Sequence, residues 1–415
     1  MDIIVLGAGM VGVGTALSLQ QRGHAVTLVD RAQPGRETSY GNAGIIQREA
    51  VRPYPFPRDV VTLARIATGI SNDAHYHLGA LGRIAPALWR YWSASAPRRY
   101  AGVVAAYSRL IVHCLSEHDA WIGPAGADDL VHKAGWLQAY RSGPVFDTAA
   151  ALATTVAREH GLACALLDSA ALAAALPVLK KPLAGAVHWQ DPWSVRDPGE
   201  LVARYARLFM SRGGRFAIGD AMTLRREGAG WAVDAGAPGQ PPEAVRAAHA
   251  VIALGPWSDA LVRGLGYRLP LFVKRGYHRH YAGEAMPGLP MLDVERGALL
   301  APMARGLRIT TGAEFARQDA PATPVQLARA EASAREIVAL GRPVEVEPWL
   351  GARPCTADML PVLGAAPRHR GLWFNFGHAH QGFTLGPVTG RLLAELISGE
   401  RPFVDPAPYL AQRFL

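Results

Sequence analysis

Apolar and polar positions follow two periods along this chain, and the switches between them mark its parts. Met1–Leu6 (MDIIVL) is a short apolar strand-like run. Val13 to about Arg22 has helical spacing, and Ala25–Val29 returns to strand and ends in an acid, Asp30. Val60–Thr68, Leu78–Ala94 and Arg99–Trp121 place apolar residues three or four apart, so the stretch 59–122 predicts helices. Gly135–Tyr140 and Ala184–Gln190 predict strands, with a helix over Phe146–His160 between them. At Asp197-Pro198-Gly199-Glu200 a helix begins, with a capping aspartate, proline at the first helical position and a glutamate where a capping box wants it. Gly213-Gly214 stops it. Phe216–Arg225 and Trp231–Ala235 predict strands, and Ala250–Leu254 (AVIAL) one that is buried on both faces.

From Leu269 to Phe315 strand follows strand, with turns at Gly283, Gly288, Arg296-Gly297 and Arg305-Gly306. A helix covers about 324–340. Leu372–Phe376 is a strand, Gly377–Gly386 a glycine-rich loop, and the final helix runs to about Ser398. Its apolar face is Val388, Leu392, Leu393, Leu396 and Ile397, with Arg391 and Glu395 outward. This order predicts an α/β protein: a nucleotide domain in three pieces (1–58, 193–266 and 345–415) and a second domain, from 59–192 and 267–344, around an antiparallel sheet.

The first turn carries the chemistry. Gly7-Ala8-Gly9-Met10-Val11-Gly12 lies between strand and helix, and Asp30 closes the second strand. That is the dinucleotide fingerprint in its required context: glycines for a tight turn, a helix start for the pyrophosphate, and a carboxylate for the ribose. Composition narrows the class. Of 415 residues, 50% are hydrophobic and 19% charged, as in a globular enzyme. No run is long enough to span a membrane, and the start lacks the basic region of a signal peptide, so the default expectation is cytoplasmic. The net charge of +9 comes from arginines spread along the chain, with no aromatic-studded basic stripe for nucleic acid. Coding bias explains it, and peripheral attraction to the inner, anionic face of a membrane, or attraction to anionic substrates, is the alternative. Cys114, Cys164 and Cys355 lie far apart and read as buried small residues, not as a disulfide or zinc framework.

With these segments in place, the chain resembles the D-amino-acid oxidase superfamily of FAD enzymes, and within it the D-amino acid dehydrogenases. The likeness rests on the fingerprint through Asp30, on Thr38-Ser39-Tyr40-Gly41-Asn42-Ala43-Gly44-Ile45-Ile46, on Gly351-Ala352-Arg353-Pro354-Cys355-Thr356-Ala357-Asp358, and on Gly377-His378-Ala379-His380-Gln381-Gly382-Phe383-Thr384. Val251–Ser258 is a weaker fifth block. The resemblance implies a Rossmann-like FAD-binding domain assembled from discontinuous segments, with a second α+β substrate domain on a mostly antiparallel sheet. It also implies non-covalent FAD, because the linking cysteine of sarcosine oxidases falls near Gly351.

The implied cofactor residues are Gly7, Gly9, Met10, Val11, Gly12, Asp30, Arg31, Thr38, Ser39, Asn42, Ala43, Gly44 and Ile45 from the first piece. Met222, Ala253, Leu254, Gly255 and Trp257 come from the second, and Gly382, Phe383 and Thr384, at a helix start, from the third. Arg353, in Gly351-Ala352-Arg353-Pro354, is the implied clamp on a substrate carboxylate. His378, Tyr277 and His280 are candidates for the pocket; on a regular strand Tyr277 and Arg279 face away from His278 and His280, so at most one pair lines it. The expected reaction moves a hydride from the Cα of a D-amino acid to the flavin, and the imine hydrolyses to a 2-oxo acid and ammonia. A quinone or other acceptor takes the electrons. His380-Gln381 and Lys274-Arg275-Gly276 depart from the pattern at the substrate end, which leaves D-proline or D-hydroxyproline dehydrogenase and glycine/sarcosine-type oxidase as alternatives. Three H-x-H pairs, His75/His77, His278/His280 and His378/His380, keep a metal-dependent hydrolase as a distant rival, although the expectation is no metal. An NAD-dependent dehydrogenase and a non-catalytic nucleotide binder are the others.

Overall fold

The computed structural model describes residues 1–69, 72, 74–236, 239, 241–283 and 286–415. Positions 70, 71 and 73, inside the stretch read as helical, lie outside the described residues.

Local pattern and structure agree best at the start. Strand β1 (Asp2–Leu6) leads into helix α1 (Met10–Gln20) and strand β2 (Ala25–Asp30). β1 and β2 pair in parallel, with Ile3 opposite Val26 and Val5 opposite Leu28. α1 is apolar nearly all round because it is covered on every side: Met10, Val13, Leu17 and Leu19 are all buried. The sheet built on this unit has eight strands in the order Glu243–Ala247, Gly230–Ala235, Arg215–Glu227, β2, β1, His249–Ile252, Leu372–Phe376 and Val362–Ala365. Its centre is parallel, and residues 2–30, 215–252 and 362–376 meet in it, so the nucleotide sheet is assembled from separated parts of the chain.

Between the pieces lie helices α2 (Val60–Ala67) and α3 (Leu78–Ala94). Ala74–Tyr76, expected in a helical or turn region, is instead a strand paired with Ala313–Phe315. The helix predicted over Arg99–Trp121 is two, Pro97–Ile111 and Cys114–Ile122. A second sheet has ten strands. Its spine is strand β3 (Leu271–Tyr281), which pairs antiparallel with Gly306–Thr310, Ala313–Phe315 and strand β4 (Trp349–Thr356). β4, grouped by sequence with the nucleotide segments, thus belongs to the second sheet: eight consecutive residues pair with β3. A small third sheet joins Ile45–Ile46, Trp193–Val195 and Val131–His132.

The last helix, α4 (Gly382–Ser398), starts five residues earlier than the glycines implied. Those glycines serve a helix crossing. A Cβ on Gly386 would come 2.7 Å from Met10 Cγ, and one on Gly390 would come 2.6 Å from the backbone of Gly14. α4 therefore packs directly on α1. Glu395 also differs from expectation, since it is buried and accepts from Arg22, Arg391 and the Phe403 backbone N–H. Cys114 and Cys355 are buried, Cys164 is half-buried, and all three are free thiols. No helix among the described residues is long and apolar enough to cross a membrane.

Candidate active site

A cavity of about 920 Å³ is lined by residues of both large sheets, a volume at the upper end for small-molecule and cofactor sites. The fingerprint forms one end of it. Gly7 has φ +106°, and a Cβ there would lie 2.5 Å from the Ala253 carbonyl oxygen; a Cβ on Gly12 would lie 1.7 Å from the Gly7 carbonyl oxygen. The bare turn lets Gly9, Met10 and Val11 present the start of α1 to the cavity, while Gly12 supports it from behind. Asp30 accepts the Ala8 N–H at 2.6 Å and the Ala32 N–H at 3.1 Å. Burial pushes its carboxyl upward, and those N–H groups pull it back. Ala253, Leu254 and Gly255 continue the wall to Trp257, over which the Arg31 guanidinium lies at 4.2 Å. Met222 sits half-exposed on the rim, its N–H bonded to Asp220.

The segment 38–46 forms the middle. Ser39 Oγ accepts the Met10 N–H at 3.0 Å, Thr38 donates to the Ala352 carbonyl, and Asn42 accepts the Gly44 N–H at 2.8 Å. These side chains shape the loop, and Ala43 and Ile45 offer it to the cavity. Gly44 stays behind the wall, where a Cβ would lie 2.2 Å from the Val195 carbonyl oxygen. From the other side Arg308 holds the same loop, donating to the carbonyls of Tyr40 and Asn42. Its Nε donates to His280 Nε2 at 3.0 Å, and His280 Nδ1 meets Glu345 at 2.7 Å. Burial draws the Arg308 guanidinium down to about 10. His280 is thus buried behind the cofactor loop and outside the cavity wall.

Beyond this loop are Arg353, Tyr277 and His378, and the start of α4, which packs beside Met10 and Val11. Arg353 lies across Gly276, where a Cβ would fall 2.6 Å from Nη2. It donates to the carbonyls of Gly312 at 2.9 Å and Thr311 at 3.1 Å, and no acid among the described residues pairs with it. Burial pulls its guanidinium below the usual range. The Tyr277 hydroxyl donates to Glu314 and accepts the Thr323 N–H, so it faces away from any ligand even though its ring meets the cavity. His378 Nε2 bonds Thr389 at 3.0 Å, and burial lowers its imidazole to about 3, which leaves it neutral. Gly382 and Phe383 line the cavity at the α4 N-terminus, while Thr384 sits beneath and accepts the Gln47 N–H.

Sequence reasoning passed over Tyr91 and Trp349, and noted Lys274 only as part of a basic stretch that departs from the pattern at the substrate end. Trp349 fills the space over two glycines: a Cβ on Gly41 or Gly351 would come within 1.9 Å of its ring. It also stacks on His278, with centroids 4.8 Å apart. Of the H-x-H pairs, His75 and His77 do gather with Glu314, their ligand atoms within 4.8 Å of one another. That carboxylate is already met by Arg275 at 2.6 Å and Tyr277 at 3.1 Å.

The residues fit FAD. A glycine turn with no room for side chains leads to one helix start, a carboxylate ends β2, and a second helix start, packed beside the first, faces the same cavity. Comparison with known proteins agrees. The family model described as FAD dependent oxidoreductase (DAO) matches residues 2–396. A D-amino acid dehydrogenase from Paramagnetospirillum magneticum is 32% identical, with 96% of this chain and 95% of that one aligned. A glycine oxidase from Pseudomonas aeruginosa is 28% identical over 98% and 97%. The fold matches the crystal structure of glycine oxidase from Geobacillus kaustophilus, with a TM-score of 0.74 at 20% identity, covering 100% of this chain and 99% of that one. The chain belongs to the DAO family of FAD-dependent oxidoreductases.

Proposed function

We propose that the protein oxidatively deaminates a D-amino acid and passes the electrons to a quinone or other acceptor. The observation that carries this reading is Arg353: a guanidinium in the cavity wall, fixed by two backbone carbonyls, with no acidic partner among the described residues. Two of its five N–H donors are used, and the rest suit a planar carboxylate. When bound, FAD supplies the hydride acceptor, so the reaction needs no side-chain nucleophile. The chain holds the cofactor, clamps the carboxylate so that the Cα–H is aimed, and walls off water with Tyr91, Phe272 and Phe315. The α4 N-terminus, at Gly382 and Phe383, offers N–H groups and a positive dipole end to negative charge that develops on the cofactor. The hand of the substrate and the use of an acceptor rest on relatives such as the dehydrogenase above, which is 32% identical over nearly the whole chain. Exposed apolar residues on α2 and α3 support a peripheral position on an anionic membrane, where a quinone would be at hand.

The test is anaerobic mixing of the FAD-loaded protein with D- and L-amino acids, prolines, glycine and sarcosine, following loss of the oxidised flavin absorbance. Bleaching by D-amino acids with return of colour on adding a quinone is the expected result; bleaching by none of them overturns it. Arg353→Ala should retain FAD but lose about 3–5 kcal/mol in kcat/KM, the cost of stranding a carboxylate without its charged partner. A near-unchanged kcat/KM removes Arg353 from this role.

A further inference from the structure

One carboxylate clamp accounts for one positive charge at the substrate end of the cavity, and there are two. Lys274 and Arg353 are directly opposed in the antiparallel pairing of β3 with β4, so their side chains leave the sheet on the same face as close neighbours. Both line the cavity. Neither has an acidic partner among the described residues. The acids that line the cavity are Asp30, Glu37 and Asp220. All three stand at the nucleotide end, and Glu37 is already paired with Arg31. Glu314, a buried acid opposite Arg275 in the pairing with β3, is taken by Arg275.

The Lys274 ammonium is held in a particular way. Its Nζ donates to the Tyr91 hydroxyl at 3.2 Å, which itself donates to the Tyr54 carbonyl at 2.6 Å. The same nitrogen is 4.5 Å from the Tyr91 ring centre, 5.7 Å from that of Phe315 and 5.8 Å from that of Phe272. An ammonium has three N–H donors. Among the described residues one is used, and the aromatic walls of Phe272 and Phe315 supply no acceptor atoms for the other two. His380 beside the two cations is pushed down to about 3, by burial first and then by Arg353 and Lys274. It is therefore neutral and adds no counter-charge.

We propose that the substrate carries a second anionic group, and that Lys274 is the residue that selects it. The substrate class is then an acidic amino acid of the aspartate or glutamate kind. Arg353 takes the α-carboxylate and Lys274 the side-chain carboxylate, in an apolar arm of the cavity where an unmatched anion would be costly. The proposal rests on the amino-acid reading of Arg353 above.

The experiment is the rate of anaerobic flavin reduction by aspartate, glutamate, asparagine, glutamine and alanine of both hands. It uses the FAD-loaded wild type, Lys274→Met and Lys274→Arg. Excluding oxygen and acceptors keeps any effect of Lys274 on reoxidation out of the measurement. The wild type should favour an acid over its own amide by at least about tenfold in kcat/KM. Lys274→Met should lower that ratio about a hundredfold, and Lys274→Arg, which keeps the charge, should preserve the preference. A wild type that treats acids and amides alike, or prefers amides or alanine, overturns the proposal, as does a Lys274→Met variant with the ratio intact. If Lys274→Met does not fold, the wild-type ratio and Lys274→Arg decide it. Bleaching by neutral amino acids alone sinks only the second-anion proposal; bleaching by no amino acid sinks the deamination reading itself.

Discussion

Glu49 illustrates how a single buried side chain couples this fold to pH. Its Oε1 accepts from Trp136 at 2.9 Å and from Gln47 at 3.0 Å, while Oε2 meets no partner among the described residues. Burial pushes its carboxyl up to about 7, and those two donors only partly oppose the shift. The folded protein therefore holds a proton that the unfolded chain releases near its ordinary value. Stability from this group is full below about pH 4.5 and is lost as pH rises to about 7, a total of about 3 kcal/mol. Glu49→Gln keeps an acceptor for Trp136 and cannot ionise. Its urea midpoint should change less between pH 5 and pH 8 than that of the wild type, and it should be the more stable protein at about pH 8. Parallel pH profiles for the two proteins would show that Glu49 ionises at no such cost. Gln47 bonds both Glu49 and Gln381, and its N–H reaches Thr384 at the start of α4, so the group adjoins the part of the cavity lined by that helix start.

At the level of elements, the decisive contact is α1 against α4. It brings the two helix starts that face the cavity, at Gly9 and Gly382, into one rigid unit. Gly390→Ala would force a Cβ to 2.6 Å from the Gly14 backbone, where neither chain has a flexible end to move. Overpacking of this kind costs about 1–3 kcal/mol. The variant should have a lower melting temperature and weaker FAD retention, measured as flavin released on gel filtration; full retention and unchanged melting would mean that the crossing can relax. This contact also explains where the sequence was readable. The unit from β1 to β2 was legible because its strands, glycine turn and helix are adjacent in the chain, and each supplies its own pattern. The glycines at 382 and 386 read as a loop because what Gly386 fits, Met10, lies some 370 residues away. Glu395 read as outward because Arg22 and the Phe403 N–H are invisible to helical periodicity. Arg353 stood out in a local motif. Lys274 and Trp349 had no such motif: one is defined by its opposition to Arg353 across β3 and β4, the other by glycines 41 and 351 brought together in the fold.

For the whole molecule, an arginine-rich stretch of chain and an exposed apolar surface fall on the same elements beside the cavity. α2 buries none of its residues, and Val60 is 80% exposed, Val61 71%, Leu78 77% and Trp89 67%. Inward-facing residues of the same helices, Leu63, Ile66, Leu81 and Leu88, line the cavity, so this apolar face lies beside it. Between residues 58 and 99 the chain carries Arg58, Arg65, Arg83, Arg90, Arg98 and Arg99 against Asp59 and Asp73. Each arginine near an anionic bilayer contributes about 1 kcal/mol, an attraction that fades within a Debye length of about 8 Å at physiological salt. Side chains such as Val61 and Trp89 could add apolar contact that salt does not weaken. The FAD-loaded protein should therefore sediment with phosphatidylglycerol vesicles at low salt and be partly released at high salt. Phosphatidylcholine vesicles should hold it poorly. Replacing Val61 and Trp89 together by aspartate should abolish sedimentation while leaving the flavin spectrum intact, since both side chains point away from the cavity core. Equal binding to neutral and anionic vesicles, or none to either, would return the excess of arginine to coding bias and leave the acceptor to reach the flavin from solution.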